Sequence, residues 1–306
     1  MSDVKVPVVG QNRPVAGVLW MLITGVLFVC VTAIVRYVGA GLPAAEAAFL
    51  RYIFGLFFLI PLLRPMLRVR PDARQLRLFA LRGAVHALAV MLWFFSMARL
   101  PIAEVTAMNY LSPVYVALLA VVFLKEKLAA RRIIAVLVAL LGAMIILRPG
   151  VRAVDPGHLA MLIAAMLFAV SYLIAKIMAD ELPSELVVGM MSITVAIGLA
   201  PFAYAVWIVP TGAQMGWMAL TAAIATAGHY TMTLAFKAAP VTVTQPVSFL
   251  QLVWATALGY FAFGEGVDIW VIAGGGLILA SVSFITWREA MLKRRAITPP
   301  AVATKV

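Results

Sequence analysis

Arg99-Leu100-Pro101 closes one apolar run and opens the next, and Ala238-Ala239-Pro240 does the same 139 residues later. Pro43 likewise recurs as Pro183, 140 residues further along the chain. Each half also contains several apolar stretches long enough to cross a bilayer. A duplicated set of membrane helices is typical of secondary transporters, whose binding site lies where the two halves meet. The recurrence therefore predicts a two-repeat membrane bundle with a central site.

The composition is that of a membrane protein. Hydrophobic residues make up 65% of the 306 positions, charged residues only 12%, and the mean hydropathy is +1.06. A soluble domain has roughly 25% charged residues. A membrane helix needs about 20 apolar residues, so the chain has room for about ten spans with short connections. Helices are expected throughout, because lipid offers no hydrogen-bond partner to an open strand edge.

The apolar runs divide the chain into ten predicted spans within an all-α membrane protein. A cytoplasmic segment (1–14) precedes a first five-helix repeat (15–150), and a second repeat (151–289) precedes a cytoplasmic tail (290–306). The predicted spans lie near residues 15–37, 44–63, 76–98, 101–123, 130–147, 156–177, 185–209, 214–236, 241–262 and 268–287.

The basic residues predict the orientation. Of the 24 Lys and Arg residues, 18 fall on one side, 4 on the other, and Arg51 and Arg82 fall within spans. The positive-inside rule then places both termini in the cytoplasm of a multi-pass bacterial inner-membrane protein. The net charge of +12 is explained by this orientation, so no nucleic-acid partner is expected. Membrane lipid and a small-molecule substrate are the expected partners.

The number of spans predicts the symmetry of the bundle. Five spans is an odd number, so the second repeat must enter the membrane from the opposite face. Inverted repeats of this kind support alternating access, in which two related halves exchange conformations around a site near mid-membrane.

Short motifs carry a resemblance to a known family. The motifs are Phe49-Leu50-Arg51, Ser96 to Pro101, Leu111-Ser112-Pro113, Leu124 to Leu128, Ala238-Ala239-Pro240 and Phe263-Gly264-Glu265. In these motifs the chain resembles the ten-helix drug/metabolite transporter superfamily of the EamA type, and within it bacterial (aromatic) amino-acid exporters. The resemblance implies an inner-membrane exporter of small metabolites, most of all amino acids, in which the first four spans of each repeat line the cavity. A multidrug exporter of lipophilic cations is the alternative within the superfamily, although no mid-span carboxylate is present to neutralise a cation.

The third span carries a polar stripe. Arg82, His86 and Trp93 follow one another at i, i+4 and i+11, which is one helical face. A charge and an imidazole on one stripe are not expected to face lipid. The stripe either lines the cavity or bonds to neighbouring helices. Arg82 has the further option of snorkelling to the headgroups, and His86 that of relaying protons.

Other candidate substrate-binding residues lie on spans four, eight and nine. Side-chain amides and hydroxyls can bind the ammonium and carboxylate of an amino acid, while aromatic rings accept its apolar body. The alternative role is to hold helices together. These candidates are Asn109, Tyr110, His229, Tyr230, Gln245, Ser248, Gln251 and Trp254.

Two prolines and two carboxylates complete the candidates. Pro113 and Pro246 lie inside spans and predict kinks, which are either gating hinges or static bends. Glu46 and Glu104 each lie three residues after a proline, in a first helical turn. There an anion complements the helix dipole, and the alternative is a role in proton coupling.

Spans five and ten are rich in small residues, including Gly142 and Gly274. Small residues let helices approach closely in lipid, so these spans pack either inside the monomer or across a homodimer.

Rival function classes lack their required motifs. The sequence has no phosphate-binding loop and no zinc-protease motif, and its three histidines are scattered over the chain, so an enzyme, a cofactor or a metal is not expected. A channel would require charged rings or filter loops in an oligomeric pore. The sequence therefore favours a secondary transporter.

Overall fold

The computed structural model describes residues 14–39, 41–60, 63–124, 130–151, 153–179, 181–239, 244, 247 and 250–297. These residues form twelve helices. The helices are α1 (Pro14–Val38), α2 (Ala44–Phe57), α3 (Leu63–Leu67), α4 (Ala73–Arg99), α5 (Ile102–Asn109), α6 (Leu111–Leu124), α7 (Ala130–Leu147), α8 (Pro156–Ala179), α9 (Ser184–Ala205), α10 (Gly212–Ala238), α11 (Leu250–Phe263) and α12 (Ile269–Ile297).

Five of these helices, α1, α4, α8, α9 and α12, are long and apolar enough to cross a membrane by length and composition. The remaining spans are α2, the α5–α6 pair, α7, α10 and the ninth span, of which the structure describes α11. The architecture is therefore an all-α membrane bundle of ten spans in two inverted repeats, and the predicted fold class is confirmed. We call the end of the bundle where α1 begins the proximal end, and the end where α1 finishes the distal end.

The two repeats share a helix-start motif that the sequence analysis did not identify. The Asp72 side chain accepts a hydrogen bond from the Gln75 backbone at 2.7 Å, and the Gln75 side chain bonds back to the Asp72 backbone. Thr211 and Gln214 form the same reciprocal box at the start of α10, 139 residues later. Each box satisfies two backbone groups that the first helical turn would otherwise leave without partners.

The main helix packing crosses from one repeat to the other. α4 packs against α8 and α9, α1 against α10, and α7 against α12. Close approach depends on glycine where α7 meets α12, because a Cβ added to Gly142 would lie 2.6 Å from the carbonyl oxygen of Gly274. The small residues of the fifth and tenth spans therefore serve internal packing. The choice between monomer and homodimer stays a prediction.

Span four is two helices rather than one kinked helix. α5 ends at Asn109, and the backbone N–H of Tyr110 bonds to the Ala107 carbonyl at 3.2 Å in a tighter turn. Pro113 has no N–H to donate to the Asn109 carbonyl four residues earlier, which accounts for the break at this point. Pro246, its predicted counterpart, lies outside the described residues.

Span two also differs from the expectation. The predicted span runs to residue 63, but α2 ends at Phe57, and the short helix α3 follows. Met66 on α3 packs into a buried cluster with Phe79 of α4 and Leu186 and Val187 of α9. This cluster joins the two repeats near the proximal end of the bundle.

Candidate functional site

An aromatic cluster lies where α4 of the first repeat meets α8 of the second. We define it as His86, Trp93, Phe168 and Tyr172. The His86 and Trp93 rings both pack edge-on against Phe168, with distances between ring centres of 5.1 and 6.0 Å. The Phe168 ring also stacks on the Tyr172 ring, with 6.0 Å between their centres. His86 is buried, and its Nδ1 lies 2.9 Å from the Ser171 hydroxyl. The Trp93 indole nitrogen is buried and has no hydrogen-bond partner among the described residues.

Two rings, one in the aromatic cluster and one on α10, have exposed surface inside the bundle. Tyr172 is 47% exposed, and His229 on α10 is also exposed. Both lie deep within the protein, surrounded by helices, and His229 packs edge-on against Phe28 of α1 at 5.1 Å. We infer from these positions that the exposed surface of Tyr172 and His229 lines a cavity between the repeats, next to the aromatic cluster.

Arg82 reaches from α4 into the second repeat. It is 6% exposed, and its guanidinium donates to the Val187 carbonyl at 3.2 Å and to the Met191 sulfur at 3.1 Å. Of the three roles left open by the sequence, the structure shows the interhelical one, without snorkelling. Met191 corresponds to Arg51 in the first repeat, so the second repeat offers a thioether where the first offers a charge.

Arg51 is a charged residue within a span, and it is not among the binding residues predicted from the sequence. It is half-buried on α2, with its guanidinium carbon 4.3 Å from the centre of the Tyr52 ring. It lies near enough to His86 and His229 to act on both electrostatically. Its presence within an apolar span was the available signal, because ionisable residues in membrane helices are rare and mostly functional.

The other predicted binding residues lie apart from the aromatic cluster. Tyr110 is buried between α5 and α11, where its hydroxyl bonds to the Leu252 backbone. Asn109 and Gln251 are half-buried, and Gln251 packs beside Gly25 of α1. Tyr230 and Trp254 are exposed, and no ring contact joins them to the cluster among the described residues. Gln245 and Ser248 lie outside the described residues.

Glu46 and Glu104 both bond across the repeats at the distal end. Each lies in a first helical turn, as the sequence predicts, but neither caps its own helix. The Glu46 carboxylate accepts from the Ile208 backbone N–H at 3.0 Å, and the Glu104 carboxylate lies 2.6 Å from His158 Nε2. His158 Nδ1 lies 3.0 Å from the Asp155 backbone nitrogen and 3.2 Å from the Asp155 carbonyl oxygen.

A third carboxylate, Glu265, fastens the distal end. Gly264 has a φ of +65° and turns the chain after α11, so that the Glu265 N–H bonds to the Gly259 carbonyl at 3.0 Å. The Glu265 carboxylate then accepts from the Ile102 backbone at 2.9 Å and lies 3.4 Å from Arg36 Nε. The Phe263-Gly264-Glu265 motif is thus a turn that carries an anion from the second repeat to two elements of the first.

At the proximal end, an exposed ion pair joins the two repeats. Arg74 of α4 bonds both carboxylate oxygens of Glu181 at 2.8 and 2.9 Å, and the Gln75 amide donates to the same carboxylate at 3.3 Å. The Arg74 hydrogen bond holds the pKa of Glu181 below its ordinary value.

Comparison with known proteins identifies the family. The model of the EamA-like transporter family matches residues 15–148 and again residues 155–287. The chain therefore belongs to the EamA-like transporter family. Its class is that of multi-pass inner-membrane transporters of small metabolites.

Relatives named for several substrates resemble the chain over nearly its whole length. A riboflavin transporter from Rhizobium johnstonii is 30% identical, covering 94% of this chain and 96% of that protein. An S-adenosylmethionine uptake transporter from Rickettsia prowazekii is 24% identical, covering 89% and 93%. A pseudopaline exporter, CntI, from Pseudomonas aeruginosa (strain UCBPP-PA14) is 26% identical, covering 87% and 94%.

A protein of known crystal structure shares the fold. It superposes with a TM-score of 0.59 at 18% identity, covering 94% of this chain and all of that one. The expected resemblance to aromatic amino-acid exporters is not supported by the relatives, whose names give riboflavin, S-adenosylmethionine and pseudopaline.

Proposed function

We propose that this protein moves a small metabolite with a planar aromatic part across the inner membrane by alternating access, and that a flavin is the first substrate to test. The observation that carries the proposal is the aromatic cluster between the repeats, beside which Tyr172 and His229 expose surface. Aromatic walls with a few convergent polar groups are typical of small-molecule sites. The 30% identity with a riboflavin transporter supports the choice of a flavin as the first substrate to test.

Aromatic amino acids are the second candidate substrates. They are the class that the sequence motifs predict, and their rings meet the same aromatic cluster. Their ammonium group is less well suited to the cavity, because Arg51 and Arg82 already supply positive charge there. The same charges weigh against the lipophilic-cation alternative.

Alternating access requires contacts that close one end of the cavity at a time. The distal contacts of Glu46, Glu104 and Glu265 all join one repeat to the other. Breaking and remaking them would let the repeats rock about the cavity. The direction of net movement then depends on the solute gradient and on coupling, and outward movement remains the prediction from the sequence.

The test is transport by purified protein in liposomes. Labelled riboflavin, tryptophan and phenylalanine are supplied with and without an imposed pH gradient, and protein-free liposomes serve as the control. Saturable riboflavin flux supports the proposed flavin substrate. Saturable flux of tryptophan or phenylalanine without riboflavin flux supports aromatic amino acids as the substrates instead. Absence of saturable flux of all three solutes under both conditions would contradict it.

A further inference from the structure

Two guanidinium groups within membrane spans, those of Arg51 and Arg82, have no anionic partner among the described residues. The Nε atoms of Arg51 and Arg82 are buried and make no hydrogen bond. Arg82 bonds only a neutral carbonyl and a sulfur, and Arg51 rests on a neutral ring. A buried charge without a counter-ion is costly in a low-dielectric interior. Such charges within membrane spans usually mark a pathway for a substrate or an ion.

The bonded carboxylates of the described structure lie at the ends of the bundle, and Glu185 is exposed in the first turn of α9. Glu46 bonds to Ile208, Glu104 to His158, and Glu265 to Ile102, all at the distal end. The remaining side-chain pairs also lie at the ends of the bundle. They are Arg74–Glu181, Arg99–Asp155 and Arg148–Asp268.

The two arginines belong to one electrostatic region. Arg51 lies on α2 and Arg82 on α4, and these two helices pack against each other and against α9. Both arginines also lie near enough to His86 to act on it electrostatically. A guanidinium group presents a planar fork of donors that matches a carboxylate or a phosphate.

We propose that Arg51 and Arg82 form an anion subsite, which binds a carboxylate or phosphate group of the transported solute while the aromatic cluster takes its ring. This inference rests on the proposed function and narrows its substrate class to aromatic anions. The solute supplies the counter-charge that the described residues do not, and the two guanidinium groups disfavour cations.

The test compares two ligands that share a ring and differ in charge. Riboflavin is neutral, whereas flavin mononucleotide carries a phosphate on the same ring system. Binding to the purified full-length protein in neutral detergent is followed by quenching of flavin fluorescence. We expect the wild type to bind flavin mononucleotide about 10-fold or more tightly than riboflavin, the factor given by one charge-assisted hydrogen bond.

Substitutions separate recognition from folding. Arg82→Gln and Arg51→Gln are each expected to lower the affinity for flavin mononucleotide about 10-fold more than the affinity for riboflavin, so that the preference is lost. Arg82→Lys keeps the charge without the fork and is expected to retain part of the preference. Arg99→Gln is the matched control, since Arg99 lies on the same helix but pairs with Asp155 at the distal end. A purely structural role for Arg82 would weaken both flavins equally.

Each contrary result has a distinct meaning. Equal binding of both flavins by the wild type, or binding of neither, overturns the anion subsite. Displacement of flavin mononucleotide by added phosphatidylglycerol would identify a lipid headgroup as the occupant and would also overturn it. Riboflavin flux in liposomes without any preference for flavin mononucleotide would leave the proposed function standing and remove the subsite alone.

Discussion

At the scale of single residues, Trp93 is informative because its indole N–H is buried and no described residue accepts a hydrogen bond from it. Removing such a donor leaves no protein group unsatisfied, so Trp93→Phe should change the melting temperature little. If the N–H meets the solute, ligand affinity should fall roughly threefold to tenfold, the worth of one hydrogen bond. Riboflavin binding and thermal melting measure the two effects on the same preparation.

Trp217→Phe is the matched control for this experiment, because Trp217 packs edge-on against Tyr37 at 5.5 Å, away from the aromatic cluster. Equal affinity losses in both variants would remove Trp93 from the site.

A second residue-scale prediction concerns pH. The folded-state pKa of Glu181 lies below its unfolded value because Arg74 bonds to the carboxylate. The pair's contribution is therefore complete above the unfolded pKa and is lost as the pH falls through the folded one. Arg74→Gln should lower the melting temperature slightly near neutral pH, and its difference from wild type should vanish in the acid range.

Melting curves of the two proteins between about pH 3 and pH 7 span the titration of a carboxylate. Arg77→Gln, a change to another exposed arginine one turn further along α4, controls for net charge. A difference from wild type that persisted unchanged into acid would contradict the assignment.

At the scale of helices, glycine decides how closely α7 and α12 approach. A Cβ at position 142 would lie 2.6 Å from the Gly274 carbonyl oxygen and 2.8 Å from a side-chain carbon of Ile278. Gly142→Ala should therefore destabilise the protein by about 1–3 kcal/mol, the usual cost of overpacking. Thermal unfolding of the purified protein in detergent measures it.

Gly216→Ala offers the contrast, because nothing lies within 4 Å of a Cβ at that position on α10. It should leave stability unchanged or raise it by up to about 1 kcal/mol, since alanine favours a helix over glycine. Equal effects of the two substitutions would mean that helix propensity, and not the close approach, sets the result.

At the scale of the whole molecule, the buried Glu104–His158 contact ties the two repeats together at the distal end. Glu104→Ala leaves the buried imidazole without this partner, which costs about 1–3 kcal/mol and favours opening of that end. Met97 on α4 is fully buried and reports such opening. In a Cys30→Ser background, Met97→Cys should react with a thiol reagent at least about fivefold faster when Glu104→Ala is added.

Asp155→Asn is the control at the same end of the bundle. Its ion pair with Arg99 is largely exposed, and exposed pairs contribute little to stability. It should leave the labelling rate near that of the parent. A labelling rate insensitive to Glu104→Ala would show that this contact does not hold the distal end closed.

Features that depend on interactions between residues close in sequence could be predicted, and features that depend on contacts between distant residues could not. The break in span four could be anticipated because Pro113 acts on its own helix. The departure of span two could not, since α3 is held by Phe79 and Leu186 from other parts of the chain. Arg51 is an intermediate case. The sequence predicts that it lies within a span, but it does not predict which side chains surround it.

The sequence by itself determined the membrane class, the ten spans and the inverted two-repeat plan. Hydropathy, proline positions and an odd span count act along the chain and need no knowledge of neighbours. Only the tertiary structure decided that Glu104 meets His158, that Arg82 bonds Val187, and that the aromatic cluster borders the cavity. These pairings join residues 54 to 105 positions apart, and they depend on how each helix is rotated against its neighbours. In spans that are apolar on nearly every face, hydrophobic periodicity carries little information about that rotation.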